Sequence, residues 1–231
     1  MKIGIIGAGQ IGGTLTRRLR QLGHDVYVAN SRGPETLKKL GDETGAKPVT
    51  AWDAARSGDV VVVTIPERAI PDLPDDLFDG VADDVVVVDT CNYYPRQRDG
   101  RIEAIEDGMT ESGWVSSQLG RPVVKAFNNI RAQHLMENGR PKGDPDRIAL
   151  PVAGDDDAAR KVVMDLVEDL GFDAIDAGSL DESWRQQPGT PVYVADLDAD
   201  GVRQGLEEAE PKRQPAFTGT ADSPGSFTDP A

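Results

Sequence analysis

One cysteine and two histidines are all that this 231-residue chain offers to thiol or imidazole chemistry. Cys91 alone cannot close an intramolecular disulfide, and with only His24 and His134 beside it no metal site is expected. No apolar run approaches the roughly 20 residues that a membrane-crossing helix needs. The first strand pattern begins at Lys2, which leaves no room for the charged lead and apolar stretch of a signal peptide. A protein of the cytoplasm with no membrane partner is therefore expected. Cations are scarce as well: 25 Lys and Arg stand against 40 Asp and Glu, a net charge of −15. A nucleic-acid backbone needs a basic surface, so that class of partner is excluded. Any anionic ligand must be held by a local arrangement that works against the overall field.

What is present is a βα alternation. Residues 2–6 (KIGII) form a short apolar run, followed by glycines and then a helical pattern from Gln10 to Leu22 with Leu15, Leu19 and Leu22 on one face. Gly23 is placed to end that helix. A strand is expected at 25–29 and a helix at 34–44, with Pro34 in its first turn. Further strands are expected at 59–64, 84–89, 122–127, 148–153 and 172–176. The two VVVV runs do not alternate, which marks strands buried on both faces of a parallel sheet. A helix follows from Asp156 to Leu170, capped by Asp155 or Asp156 and closed by Gly171. The fold class is α/β: a Rossmann-type, doubly wound, mostly parallel sheet with a short C-terminal extension. Residues 1–180 make the dinucleotide-binding domain and 181–210 an extension to a substrate pocket or dimer contact. Residues 211–231, rich in Pro, Gly, Ser and Thr, read as a disordered tail.

Gly7-Ala8-Gly9-Gln10-Ile11-Gly12 matches G-x-G-x-x-G and sits directly after a strand and at the mouth of a helix. Gly7 permits the turn, Gly9 lets a pyrophosphate approach the backbone, and Gly12 lets the helix pack close. The free N–H groups and partial positive charge of the helix start suit phosphate. The end of the 25–29 strand chooses between nucleotides. An NAD site places an Asp or Glu there to grip the ribose 2′-hydroxyl, whereas this chain runs Asn30-Ser31-Arg32. A guanidinium fork, aided by Ser31 and Asn30, favours the 2′-phosphate of NADP(H). Ligands in such sheets lie beyond the carboxyl ends of the strands, which places Ile65 and Pro66 along the cofactor channel. The polar ends 89–95 and 125–129 should converge on the nicotinamide. Cys91 there reads as a small packed residue. Lys125 reads either as a catalytic lysine or as an ion-pair partner.

These segments resemble the F420-dependent NADP oxidoreductase family, small reductases with a single Rossmann domain. The resemblance is carried by IGIIGAGQIG, NSRGPETL, TIP, VVKAFNNI and LPVAGDDDAARKVVMDLVEDLGFDAIDAGSL, over residues 2–180. It implies hydride transfer between NADP(H) and a small-molecule redox co-substrate, the deazaflavin coenzyme F420. It further implies pyrophosphate contacts from Gly9, Gln10 and Ile11, 2′-phosphate contacts from Ser31 and Arg32, and cofactor-channel contacts from Ile65 and Pro66. Asn92 and Asn128 would lie near the nicotinamide. Such a transfer needs only two rings held face to face with water excluded, so no catalytic residue is named. The chain departs from the family at Gly33-Pro34-Glu35, where further basic residues are usual and Lys38 is the nearest cation, and at Asp181–Pro188 (DESWRQQP).

The second departure leaves the partner of NADP(H) open between F420 and a flavin, quinone or ferric chelate. A non-enzymatic NADPH sensor is the reading from another class. A 3-hydroxyacid dehydrogenase would need a long helical domain for which too few residues remain. A homodimer is one expectation, with Trp184, Val192 and Tyr193 offering apolar contact; Trp184 reads equally as intramolecular core.

Overall fold

The apolar run after Met1 becomes β1 (Lys2–Ile6) in a computed structural model that describes residues 1–223. It is followed by α1 (Gln10–Gln21), β2 (Asp25–Ala29), α2 (Lys38–Thr44), β3 (Lys47–Pro48), α3 (Ala51–Ser57) and β4 (Val60–Val63). The second half holds β5 (Val86–Asp89), α4 (Glu103–Glu106), α5 (Glu111–Leu119), β6 (Val124–Lys125) and α6 (Ala132–Glu137). β7 (Ala149–Val152), α7 (Asp157–Asp169), β8 (Asp173–Asp176) and α8 (Ala199–Glu207) complete the chain of named elements.

β1 to β6 form one parallel sheet in the order β3-β2-β1-β4-β5-β6. The order reverses between β1 and β4, the crevice where open α/β sheets bind ligands. Alternate side chains explain the unbroken apolar runs. Ile3, Ile5, Val26, Val28, Val60, Val62, Val86 and Val88 share one core with Leu15 and Leu19 of α1 and Val163 and Leu166 of α7. Ile6, Ala29 and Val61 point to the opposite face, against Ala54 and Ala55 of α3. Both faces are therefore dry, which is why no polar residue interrupts the Val runs.

The expected strand at 122–127 shrinks to Val124–Lys125. The expected strands at 148–153 and 172–176 do not extend the main ladder. As β7 and β8 they form a separate two-stranded parallel sheet, joined to the first by a single antiparallel bridge, Lys125 to Ala153. Phe127 takes φ 60, which turns the chain out of strand geometry just past β6. Of the two candidate caps, Asp156 accepts the Ala159 N–H at the start of α7, while Asp155 accepts the Leu180 N–H and ties down the later chain. Gly23 at φ 86 and Gly171 at φ 95 follow α1 and α7 as expected.

The tail expectation needs correction over 211–223. Composition alone suggested disorder there, but tertiary contacts hold it. Arg213 pairs with Glu111, the Gln214 side-chain amide bonds the Gly189 carbonyl, and the Gly219 N–H reaches Glu106. Phe217 packs its ring against Tyr94 and Tyr193 at centroid distances of 6.3 and 6.4 Å. Residues 224–231, the rest of that expected tail, lie outside the described residues. Among the described residues no helix is long and apolar enough to cross a membrane, and no group of His, Cys, Asp and Glu could hold a metal.

Candidate cofactor site

The glycine motif lies at the switch point as its mechanism requires. Gly7 takes φ 114, and a Cβ there would stand 2.2 Å from the Thr64 carbonyl oxygen; at Gly12 one would stand 1.9 Å from the Gly7 carbonyl oxygen. These two glycines are demanded by packing between β1, β4 and α1. Gly9 is different: a Cβ there meets nothing within 4 Å. Its missing side chain opens space on the outside of the turn rather than relieving a clash. Gly9 is also the N-cap of α1, so no capping side chain occupies the helix start, and no acidic residue stands in the first turn. Gly9 and Gln10 are exposed and Ile11 half-buried. The donors and positive end of α1 thus face open space, an arrangement suited to a pyrophosphate.

At the end of β2 the loop is organised from within. Asn30 accepts the Arg32 N–H through Oδ1 and donates through Nδ2 to Thr36, whose hydroxyl also bonds the Gly33 carbonyl. The Asn30 side chain thus shapes the turn that presents Ser31 and Arg32. Ser31 and Arg32 are exposed beyond it. Among the described residues the Arg32 guanidinium has no ion pair or hydrogen bond. Glu35, the nearest carboxylate in sequence, folds back over Gly33.

Ile65 and Pro66 follow β4, both half-buried, and Ile65 lies against the turn at Gly7. Asn92 and Asn128 are brought together as expected, but their amides largely satisfy each other. Asn92 Nδ2 donates to the Asn128 carbonyl and Asn128 Nδ2 donates to Asn92 Oδ1. Asn128 Nδ2 also bonds the Gln186 carbonyl, and Gln186 Nε2 returns a bond to Asn128 Oδ1. Asn128, 3% exposed, pins the C-terminal segment to the sheet edge; Asn92 is the more open of the two.

Sequence reasoning missed a buried ionic network behind this edge. Lys125 and Asp89, both fully buried, form an ion pair at 3.2 Å, and Lys125 also donates to the Cys91 carbonyl. Burial alone would lower the lysine pKa, but the carboxylates beside it, Asp89 first and then Glu111, outweigh it and hold it above its ordinary value. Lys125 is therefore the ion-pair partner of the two alternatives. Cys91 is packed and buried, and burial pushes its thiol pKa up, as an inert residue requires. Arg98 pairs with Asp99, and Arg213 with Glu111, which also accepts the Tyr93 N–H.

Each of the three cations thus has its own carboxylate. Glu67 is the fourth acid, fully buried, with neither oxygen hydrogen-bonded among the described residues. Burial first, then the neighbouring Glu111, drives its pKa well above the usual range, so Glu67 is held as the neutral acid. Burial holds Glu111 above its ordinary value too, but there Arg213, Lys125 and the Tyr93 N–H work against it, support that Glu67 lacks. Only the spacing of Glu67 directly after Ile65-Pro66 could have drawn attention to it.

Trp184, Val192 and Tyr193, expected to offer dimer contact, are engaged within the chain. Val192 is 2% exposed in a core with Val202 and Leu206 of α8. The Tyr193 hydroxyl bonds that of Tyr94, and Trp184 carries the Arg185 guanidinium over its ring. Trp184 also faces a cavity of about 1040 Å³ between residues 105–113, 181–191 and 208–218.

Comparison with known proteins agrees with this geometry. Residues 2–93 match the model of the family described as NADP oxidoreductase, coenzyme F420-dependent. The chain is 31% identical over 211 residues to an F420-dependent NADP reductase of Methanothermobacter thermautotrophicus, covering 84% of this chain and 88% of that one. It is 53% identical over 79 residues to the Escherichia coli protein YjhV, a match that spans only half the length of that relative and 34% of this chain. A hypothetical protein of Sinorhizobium meliloti superimposes with a TM-score of 0.70 at 32% identity, over 87% of this chain and 97% of its own.

Proposed function

The chain belongs to the coenzyme F420-dependent NADP oxidoreductase family, and on that premise we propose that it moves hydride between NADP(H), bound along the switch point, and a second small-molecule redox carrier. The observation that carries the cofactor choice is Arg32, an exposed guanidinium without a partner among the described residues, just beyond the strand where an NAD site would present a carboxylate. Gly9 and the uncapped start of α1 would receive the pyrophosphate, Ser31 and Arg32 the 2′-phosphate, and Ile65 and Pro66 the ribose and nicotinamide. NADPH, when bound, supplies a hydride equivalent. The chain supplies position and exclusion of water. The paired asparagines fix the two strand ends, and the buried ionic network behind that edge would hold it rigid with its formal charges balanced.

The family favours coenzyme F420 as the second carrier. A flavin, quinone or ferric chelate is the alternative, supported by the unmatched stretch Asp181–Pro188 in the C-terminal wall. Residues 181–210, with the ordered part of 211–223, form the boundary of the second substrate's pocket. Two measurements test this. Titration with NADPH and NADH should show NADPH binding more tightly. Loss of dihydronicotinamide absorbance on addition of each acceptor should show turnover. Tight NADPH binding with no oxidation by any acceptor would instead identify a sensor.

A further inference from the structure

We propose that Gln186 is a positioning residue for the nicotinamide: through Asn128 it sets the sense of the Asn92 amide, so that Asn92 presents a hydrogen-bond donor to the carboxamide oxygen of the ring. The proposal rests on the reading of the chain as an NADP(H) oxidoreductase and adds what fixes the far end of the cofactor.

The order of the sheet decides which way a dinucleotide runs. Arg32 follows β2, Gly9 follows β1, Ile65 and Pro66 follow β4, and Asn92 follows β5, all beyond the carboxyl ends of adjacent parallel strands. With the 2′-phosphate at Arg32 and the pyrophosphate at Gly9, the nicotinamide half extends toward β4 and β5. From β2 to β5 is three strand spacings, about 14 Å, the scale of an extended dinucleotide. Asn92, half-buried, stands at that end.

An amide can point either way, so its sense is settled by its neighbours. Main-chain carbonyls, which only accept, settle it here three times. The Pro151 carbonyl draws Gln186 Nε2, which also donates to Asn128 Oδ1 at 3.0 Å. The Gln186 carbonyl draws Asn128 Nδ2 at 2.7 Å, which also donates to Asn92 Oδ1. The Asn128 carbonyl draws Asn92 Nδ2. With Oδ1 taken, Asn92 keeps one Nδ2 hydrogen without a partner among the described residues. It therefore offers a donor, and the carbonyl oxygen of a carboxamide is the matching acceptor. Gln186 is fully buried and Asn128 is 3% exposed, so bulk water does not compete for these bonds. Gln186 lies in Asp181–Pro188, the stretch where this chain departs from its family.

The test compares NADPH with adenosine 2′,5′-bisphosphate, which has the adenosine half and both kinds of phosphate contact but no nicotinamide, by equilibrium titration of the full chain. Gln186→Met removes the side-chain donor and keeps the length. It should weaken NADPH binding about fivefold, the size of one neutral hydrogen bond, and leave the bisphosphate unchanged. Asn92→Ala should do the same by about tenfold. In Gln186→Met/Asn92→Ala the loss should equal that of Asn92→Ala alone, because Gln186 acts only through Asn92. Asn128→Asp sets an acceptor against Asn92 Oδ1, a second break in the same series, and should also lose NADPH selectively. Unchanged NADPH affinity in Gln186→Met, equal losses for both ligands, or losses that multiply in the double variant overturn the proposal. Loss of folding in both Gln186→Met and Asn128→Asp, read by circular dichroism, would show these bonds to serve stability alone and overturn it too. A parent chain that binds neither ligand would instead remove the oxidoreductase reading beneath it.

Discussion

Replacing Glu67 by glutamine should change how stability depends on pH more than it changes stability at any one pH. The carboxyl is fully buried with no hydrogen bond among the described residues, and its folded pKa lies well above the ordinary value. In the unfolded chain it ionises near pH 4.3. Between that pH and the folded pKa, the unfolded state has released one proton that the folded state keeps. Stability is therefore fully present below the unfolded pKa and falls as pH rises, by about 1.4 kcal/mol per pH unit. The loss accumulates up to the folded pKa and stops there. Glutamine matches the shape of the neutral acid and cannot ionise, so this contribution vanishes in the variant. Unsatisfied amide groups cost it roughly 1–3 kcal/mol at every pH, which shifts its curve without tilting it. Urea unfolding of both proteins at pH 5, 6 and 7 measures the tilt, because all other titrating groups cancel in the difference. Parallel curves would refute the assignment of Glu67 as the proton-bearing fourth acid.

Arg32→Ala should weaken NADPH binding by roughly 1–3 kcal/mol, about 5- to 150-fold, and leave NADH binding nearly unchanged, as read by equilibrium titration with each nucleotide; equal losses would show that Arg32 does not face the 2′-phosphate. Gly9→Val should keep the thermal midpoint close to that of the parent while sharply reducing affinity for either nucleotide, because its side chain enters open space that only a ligand would fill. Gly12→Val should instead fail to fold stably, its Cβ being directed at the Gly7 carbonyl, and circular dichroism separates the two outcomes. Arg213→Met leaves the fully buried Glu111 without its cation; a loss of about 3–5 kcal/mol in urea unfolding is expected. Restored stability in Arg213→Met/Glu111→Gln would confirm that the loss is electrostatic.

The order of apolar runs and glycines was enough to establish a parallel sheet with its crossover helices, because burial on both faces forces continuous hydrophobic strands and packing forces the glycines at 7 and 12. It was also enough to place Arg32 beyond β2, since the end of a strand is fixed by the strand itself. The short elements escaped notice. β3 is two residues long, and α3, α4 and α6 are too brief to show a helical period. What the sequence could not reveal depends on partners far apart in the chain. Composition made 211–223 look disordered, yet Arg213 finds Glu111 across 102 positions. Lys125 was ambiguous until Asp89 stood beside it, and Asn128 proved to be tied to Gln186 across 58 positions. Glu67 acquires its proton only because folding buries it among acids whose cations are already taken. Strands, turns and helix starts follow from neighbours in the chain. Ionisation states and pocket walls follow from which distant charges the fold brings within a few ångströms, out of reach of water.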